Sequence, residues 1–253
     1  MERQSIRQRL RKNELVLGAF LKSADPCMAE ILGCSGLDFF VLDNEHVALD
    51  KEKITNIIRA GQLYGIAPVI RVMKNEQTNI LQALDAGAEG VQVPNIDTPE
   101  QAKELQGYAH YQPVGVRGFS PNVRAARYGA EGIHDYIQRS LEETLVVAHI
   151  ETKEGYENLD GILAVEGIDA IFIGPMDLSQ SFGIVGDTKN PILTECVADI
   201  TARSLAAGKA VGTVCSAAEA GRYAEMGMRY LLIGNDQGAV LNHFKTAVKQ
   251  VRG

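Results

Sequence analysis

The feature that most constrains this chain is an alternation, repeated eight times, of short apolar runs rich in β-formers with longer amphipathic stretches of helical period. The runs are LVLGAF (15–20), DFFVLD (38–43), APVIRV (67–72), GVQVP (90–94), LVVAHIE (145–151), DAIFIG (169–174), AVGTVC (210–215) and YLLIG (230–234). Helical patterns follow at 26–34, 51–64, 76–86, 99–110, 153–164, 177–181 with 191–207, 217–227 and 237–251. Strands alternating with helices signal a parallel sheet covered by helices. The punctuation agrees. Asp50 and the pair Asp97/Thr98 stand where helix N-caps belong, with Pro99 at the first helical position. Gly65, Gly87, Gly208 and Gly227 follow helical runs, where a left-handed residue closes the last turn. Eight units in 253 residues predict one α/β domain over 1–253, a (β/α)8 TIM barrel, with a short amphipathic helix in MERQSIRQRLRKNE before it. An open doubly wound sheet is the competing architecture. It usually has fewer strands, and its nucleotide-binding form wants a glycine-rich first turn. The chain after strand one reads FLKSADP, with neither GxGxxG nor a P-loop.

Several function classes fit poorly. A formal charge of −7 argues against a general nucleic-acid footprint. No apolar run approaches the ~18 residues of a membrane span. The N-terminal segment is charged and lacks the apolar stretch of a secretory signal. Cys27, Cys34, Cys196 and Cys215 form no CxxC pair and no zinc spacing, and read as reduced thiols. The expectation is a soluble, cytoplasmic protein with no nucleic-acid or membrane partner.

Barrel enzymes work at the C-terminal ends of their strands. In LDFFVLDNEHVALD (37–50) an apolar run ends in Asp43, Glu45 and His46. Strand three carries Arg71, strand four ends at Pro94-Asn95, and strand five ends in His149 and Glu151. Strand six leads into Gly174-Pro175-Met176-Asp177, strand seven ends near Thr213, Cys215 and Ser216, and strand eight runs into Asn235-Asp236. Buried charge is costly unless paired, hydrogen-bonded or bound to a metal. Glu151 and Asp177 follow β runs on adjacent strands, so they would repel unless a divalent cation neutralised both; a helix N-cap or a salt bridge is the plain alternative. Arg71 either pairs with Asp43 or Glu45, or faces a substrate oxygen that gains charge. His46 is either structural or a general base oriented by a carboxylate. The connection at 110–144, which holds Arg117, Gly118, Ser120, Arg124 and Arg127, is too long for a simple loop. It reads as an interface loop, or as a lid or anion-binding segment over the barrel mouth. The strands hold no lysine for a Schiff base, Lys22 and Lys153 only flank them, and no GxSxG elbow occurs.

LDNEH (42–46), VIRV (69–72), LDAGAEGVQVP (84–94), GVRGFS (115–120), HIET (149–152) and IGPMDLS (173–179) together resemble the HpcH/HpaI aldolase family, the metal-dependent class II pyruvate aldolases. The likeness runs in order from about Leu17 to Asp236. It implies a lyase that cleaves or forms a 4-hydroxy-2-oxo acid through a pyruvate enolate. Glu151 and Asp177 would hold Mg2+, Mn2+ or Co2+, with no organic cofactor. Gly174, Pro175, Met176 and Asp177 would help grip the substrate carboxylate, and Arg71 the enolate oxygen. His46 and Asp85 would form the acid–base pair; without the resemblance, Asp85 is only a helix end. Asp43, Glu45 and His149 would orient the site, while Ser120 and Val214 would border the aldehyde. The family also implies a homo-oligomer, trimer or hexamer, with the C-terminal helix exchanged between subunits; an ordinary eighth barrel helix is the alternative.

Two residues depart from the family pattern. His149 stands where glutamine is usual, and Asn44 where glycine is commoner. The alternatives are an acyl-CoA lyase of the citrate-lyase β type, which would need the 115–127 arginines as a groove for phosphates, a hydrolase acting on a 2-oxo acid, or an inactive barrel serving assembly.

Overall fold

All eight apolar runs form strands in the computed structural model, which describes residues 3–253; Met1 and Glu2, the start of the predicted N-terminal helical segment, lie outside that range. The chain runs α1 (Ile6–Arg11), β1 (Val16–Leu21), α2 (Pro26–Cys34), β2 (Phe39–Asp43), α3 (Lys51–Leu63), β3 (Ala67–Arg71), α4 (Gln77–Asp85), β4 (Gly90–Val93) and α5 (Pro99–Ala109). A 3-10 helix (Arg124–Gly129) and α6 (Ile133–Glu143) follow, then β5 (Leu145–Ile150), α7 (Lys153–Glu157), α8 (Leu159–Leu163), β6 (Ala170–Ile173) and α9 (Pro175–Ser181). The last elements are α10 (Pro191–Ala206), β7 (Ala210–Val214), α11 (Ala217–Glu225), β8 (Tyr230–Asn235) and α12 (Asp236–Arg252). The strands are parallel and close in sequence order, β8 pairing with β1, so this is a (β/α)8 barrel.

Side chains alternate across a strand, and the alternation sorts two apolar clusters. One fills the barrel with Phe39, Val41, Val69, Leu145, Val147, Phe172, Tyr230 and Leu232. The other, with Phe40, Leu42, Ile70, Val91, Val146, Ile150 and Ile171, faces helical residues such as Ile57, Ile58 and Leu105. Ile6 and Leu10 of α1 join the inner cluster, so the predicted amphipathic helix stops one end of the barrel. Arg7 fastens it there, its Nε 2.6 Å from Asp169 Oδ1. Asp50 caps α3 by accepting from Lys53 N, and Thr98 and Gln101 form a capping box on α5.

Three expectations need adjusting. The helix predicted over 153–164 breaks at Asn158 into α7 and α8. The segment predicted at 177–181 begins two residues earlier, at Pro175. The long connection is partly ordered as the 3-10 helix and α6, and lies along the outer helices rather than as a lid over the mouth: Arg124 bonds the Ala86 carbonyl at the end of α4, and Arg117 bonds Asp85. At the other terminus, α12 buries only Asp236, whose carboxylate accepts from Lys22 N and Ser23 N at 3.0 and 2.9 Å. Val240, Leu241, Phe244, Val248 and Val251 of α12 stay exposed. No helix among the described residues is long and apolar enough to cross a membrane.

Candidate active site

The parity that places Val41, Val69 and Val147 inside the barrel also turns Asp43, Arg71, Gln92 and His149 inward near the C-terminal ends of their strands. Asp43 and Arg71 are register partners on β2 and β3. Arg71 Nε donates to Asp43 Oδ1 at 3.1 Å, Nη2 lies 2.7 Å from Asp43 Oδ2, and Nη1 lies 3.0 Å from Glu45 Oε2. The Phe20 ring sits 4.7 Å below the guanidinium. Lys22 Nζ adds a second cation 3.4 Å from Asp43. Asp43 Oδ1 also accepts from the N–H groups of Glu45 and His46, each at 3.2 Å, and so shapes the DNEH turn. Burial opposes ionisation of Asp43, yet the bond and charge of Arg71 hold its carboxyl below the usual range.

Glu151, directly after β5, is buried and doubly anchored. Oε1 accepts from Asn95 N at 2.9 Å, and Oε2 lies 2.9 Å from His149 Nδ1. Burial pushes its pKa up, but His149, the Asn95 N–H and the charge of Arg71 outweigh it and bring the pKa down. Glu45 goes the other way: burial raises it and the charge of Glu151 adds to that, against Arg71. Asp177, expected beside Glu151, sits in the first turn of α9 with its side chain exposed and no hydrogen bond or ion pair among the described residues. Gly174 is buried and precedes that helix, and Met176 is exposed.

Other predicted residues lie apart from this cluster. The His46 side chain is exposed, with Nε2 3.9 Å from Glu45 Oε2. Asp85 ends α4 and is ion-paired with Arg117 Nη2 at 2.6 Å; no hydrogen bond or ion pair joins it to His46 among the described residues. Ser120 is exposed on the long connection. Val214, at the end of β7, packs partly buried against the inner cluster. Two residues that the sequence analysis passed over complete the interior. Tyr230 donates to Gln92 Oε1 at 3.1 Å, while Gln92 Nε2 and His149 Nε2 are buried without a partner among the described residues. The signal for Gln92 was present: it is the one polar side chain in GVQVP.

The donors here suit a hard divalent cation. No group of three or more His, Cys, Asp or Glu side chains is arranged to hold an ion among the described residues, so any ion would rely on few protein ligands. Magnesium and manganese are commonly held that way, by one or two carboxylates with water and substrate oxygens completing the shell. Glu151 could offer one such carboxylate, and the Asp177 carboxylate is unengaged among the described residues. A Cβ at residue 174 would stand 2.7 Å from Glu151 Oε2, so the missing side chain of Gly174 is what keeps the space beside that oxygen clear.

Comparison with known proteins adds to this geometry. The family model for HpcH/HpaI aldolase/citrate lyase matches residues 16–243. A hydroxypyruvate/pyruvate aldolase from Pseudomonas aeruginosa is 36% identical over 98% of this chain and 92% of its own. A 5-keto-4-deoxy-D-glucarate aldolase from Salmonella paratyphi C (strain RKS4594) is 34% identical over 91% of this chain and 90% of its own. The crystal structure of an HpcH/HpaI aldolase/citrate lyase family protein from Burkholderia cenocepacia J2315 superposes with a TM-score of 0.93, at 32% identity, covering 98% of this chain and 99% of that one.

Proposed function

Because this chain belongs to the HpcH/HpaI aldolase/citrate lyase family, and is by that membership a carbon–carbon lyase, we propose that it is a divalent-metal-dependent aldolase that splits a 4-hydroxy-2-oxo acid into pyruvate and an aldehyde, or joins the two. The observation that carries this reading is the ionised, doubly anchored Glu151 in the same inward-facing cluster as the Arg71 guanidinium. One group can hold a cation, and the other can meet an oxygen that becomes negative.

Glu151 and Asp177 would hold Mg2+, Mn2+ or Co2+, which when bound supplies a Lewis acid for the keto oxygen of the substrate. Arg71 cannot swing away, because Asp43 and Glu45 hold three of its nitrogens. A guanidinium fixed in advance stabilises developing enolate charge without a reorganisation cost at the moment of reaction. His46, exposed beside this cluster, would take the hydroxyl proton in the cleavage direction. Asp85, expected to complete that pair, is held by Arg117, so Glu45 takes the orienting place in this reading. Amides near Gly174 to Asp177 would receive the substrate carboxylate, and Val214 would border the aldehyde.

An acyl-CoA substrate fits less well. The arginines that its phosphates would need lie away from the inward-facing cluster: Arg117, Arg124 and Arg127 line a space in the helical layer that none of Asp43, Arg71, Glu151 or Asp177 borders. The exposed apolar residues of α12 support a homo-oligomer, trimer or hexamer, in which that helix packs on a neighbouring subunit. The test of the reaction is deuterium exchange. Pyruvate in D2O with Mn2+ should gain methyl deuterium, EDTA should stop the gain, and Glu151→Ala should abolish it. Exchange that ignores both EDTA and Glu151→Ala would refute the proposal.

A further inference from the structure

A cavity of about 490 Å3 lies in the helical layer between the ends of α3 and α4, the 3-10 helix and α6, and none of Asp43, Arg71, Glu151 or Asp177 lines it. Five arginines do: Arg3, Arg117, Arg124, Arg127 and Arg139. Three of them have carboxylate partners, Arg3 in Glu89, Arg117 in Asp85 and Arg139 in Glu131. The other two have none among the described residues. Arg124 is tied only to neutral acceptors, with Nη2 2.6 Å from Gln62 Oε1 and Nη1 2.9 Å from the Ala86 carbonyl. Burial lowers its pKa, against Tyr128, and the charge of Arg59 adds to the lowering. A Cβ on residue 87 would fall 2.4 Å from Arg124 Nη1, so Gly87 is what lets the guanidinium reach the cavity wall.

The Arg127 side chain makes no hydrogen bond or ion pair among the described residues, its carbonyl alone accepting from Ala130 N; its charge reaches Glu131 only through space. It is held in a left-handed backbone conformation, φ 51°, followed by Tyr128 at φ 58°. Arg59, with only Asn56 and the Tyr128 hydroxyl as side-chain partners among the described residues, adds a further positive charge at the rim. Deeper in, Arg117 Nε is buried without a partner among the described residues. In a chain of net charge −7 this is a local reversal of sign, and a concave one.

We infer that this cavity binds a phosphorylated small molecule, its phosphoryl dianion bridging Arg124 and Arg127. Two unmatched guanidiniums call for two negative charges, and the guanidinium fork matches phosphate oxygens. The volume is that of a small-molecule site rather than of a lone ion. Free phosphate and a phosphate monoester share this chemistry. The inference stands apart from the aldolase reading, since no residue of the reaction takes part.

Calorimetric titration of the full-length protein at physiological ionic strength tests it, with inorganic phosphate and glycerol 3-phosphate as the probes. The expected result is saturable binding, one site per chain, weakened about tenfold or more in Arg127→Gln by loss of a charge-assisted bond, while pyruvate exchange is retained. Tighter binding of glycerol 3-phosphate points to an organic monoester, and equal binding to phosphate itself. Arg124→Gln should behave likewise, but it also releases the latch on Gln62 and Ala86; Arg127 is exposed and latches nothing, so its variant keeps the test decisive. Failure of both anions to saturate, or equal affinity in wild type and Arg127→Gln, overturns the inference.

Discussion

Arg71 grips Asp43 across the register of two neighbouring strands, with Nε 3.1 Å from Oδ1 and Nη2 2.7 Å from Oδ2. Both side chains are buried, and they face inward because residues 43 and 71 share the parity of the apolar residues below them. The pair thus stands where the apolar core of the barrel gives way to the charged cluster. Its stiffness is a consequence of strand pairing, not of a loop.

Asp43→Ala should therefore be among the most damaging single changes in the barrel. It leaves a buried guanidinium short of its main counter-charge, and removing one partner of a buried pair costs about 3–5 kcal/mol. A urea titration should show the midpoint lowered accordingly. Asp43→Asn, which keeps the shape and an acceptor, should lose less stability. A wild-type midpoint for Asp43→Ala would mean that Glu45 alone satisfies Arg71.

His149 positions Glu151 from two residues away, its Nδ1 2.9 Å from Oε2 while its ring lies 4.7 Å from the Phe172 ring. His149→Phe keeps the ring contact and removes the donor. Manganese affinity should fall about 10–100-fold, the usual effect of losing a hydrogen bond to a metal ligand. His149→Gln restores a donor and should recover most of the loss. Unchanged affinity in His149→Phe would show that Asn95 N–H suffices to hold the carboxylate.

The strands were legible because burial on both faces leaves near-continuous apolar runs, as in FFVL and AIFI, and turns and caps bound them. The strand-end residues were legible for the same reason: a charge at the end of such a run stands out, as Asp43, Arg71 and Glu151 do. What no local pattern encodes is long-range. The Asp85–Arg117 pair spans 32 residues and depends on how the long connection folds back onto α4. Helix α6 does carry an apolar stripe, Ile133, Tyr136, Ile137 and Leu141, but it follows no strand of its own, so the stretch reads as part of the long connection. Asp177 opens the helical pattern read at 177–181, and the turn into α9 at Pro175 puts it on an exposed helical face.

His110, buried after α5, should give the protein a distinctive acid response. Burial, and then the charges of Arg7 and Arg117, push its pKa down to about 4 from an ordinary 6.5. The folded protein keeps it neutral while the unfolded chain takes up a proton. Its contribution to stability is thus whole above pH 6.5 and declines as pH falls toward about 4. At 1.36 kcal/mol per pK unit the loss over that window is roughly 3 kcal/mol. Urea midpoints at about pH 7 and about pH 5 should differ in the wild type, and differ clearly less in His110→Phe. Equal pH dependence in the two proteins would place the titration elsewhere.

Gly174→Ala separates the site from the scaffold. The backbone there, φ −92° and ψ 89°, is open to alanine without left-handed strain. The new methyl would stand 2.7 Å from Glu151 Oε2 and 3.0 Å from Glu151 Cβ. The carboxylate cannot simply step aside, since Asn95 N–H holds one oxygen and His149 the other. Overpacking of this kind costs about 1–3 kcal/mol of stability. A displaced catalytic group costs far more in rate, on the order of 100-fold for about an ångström. Pyruvate exchange in Gly174→Ala should therefore fall about 100-fold while the chain stays folded. Gly221→Ala, on α11 with open space around its Cβ position, should change neither quantity. If Gly174→Ala exchanges pyruvate at the wild-type rate, the position of Glu151 is not what the reaction depends on.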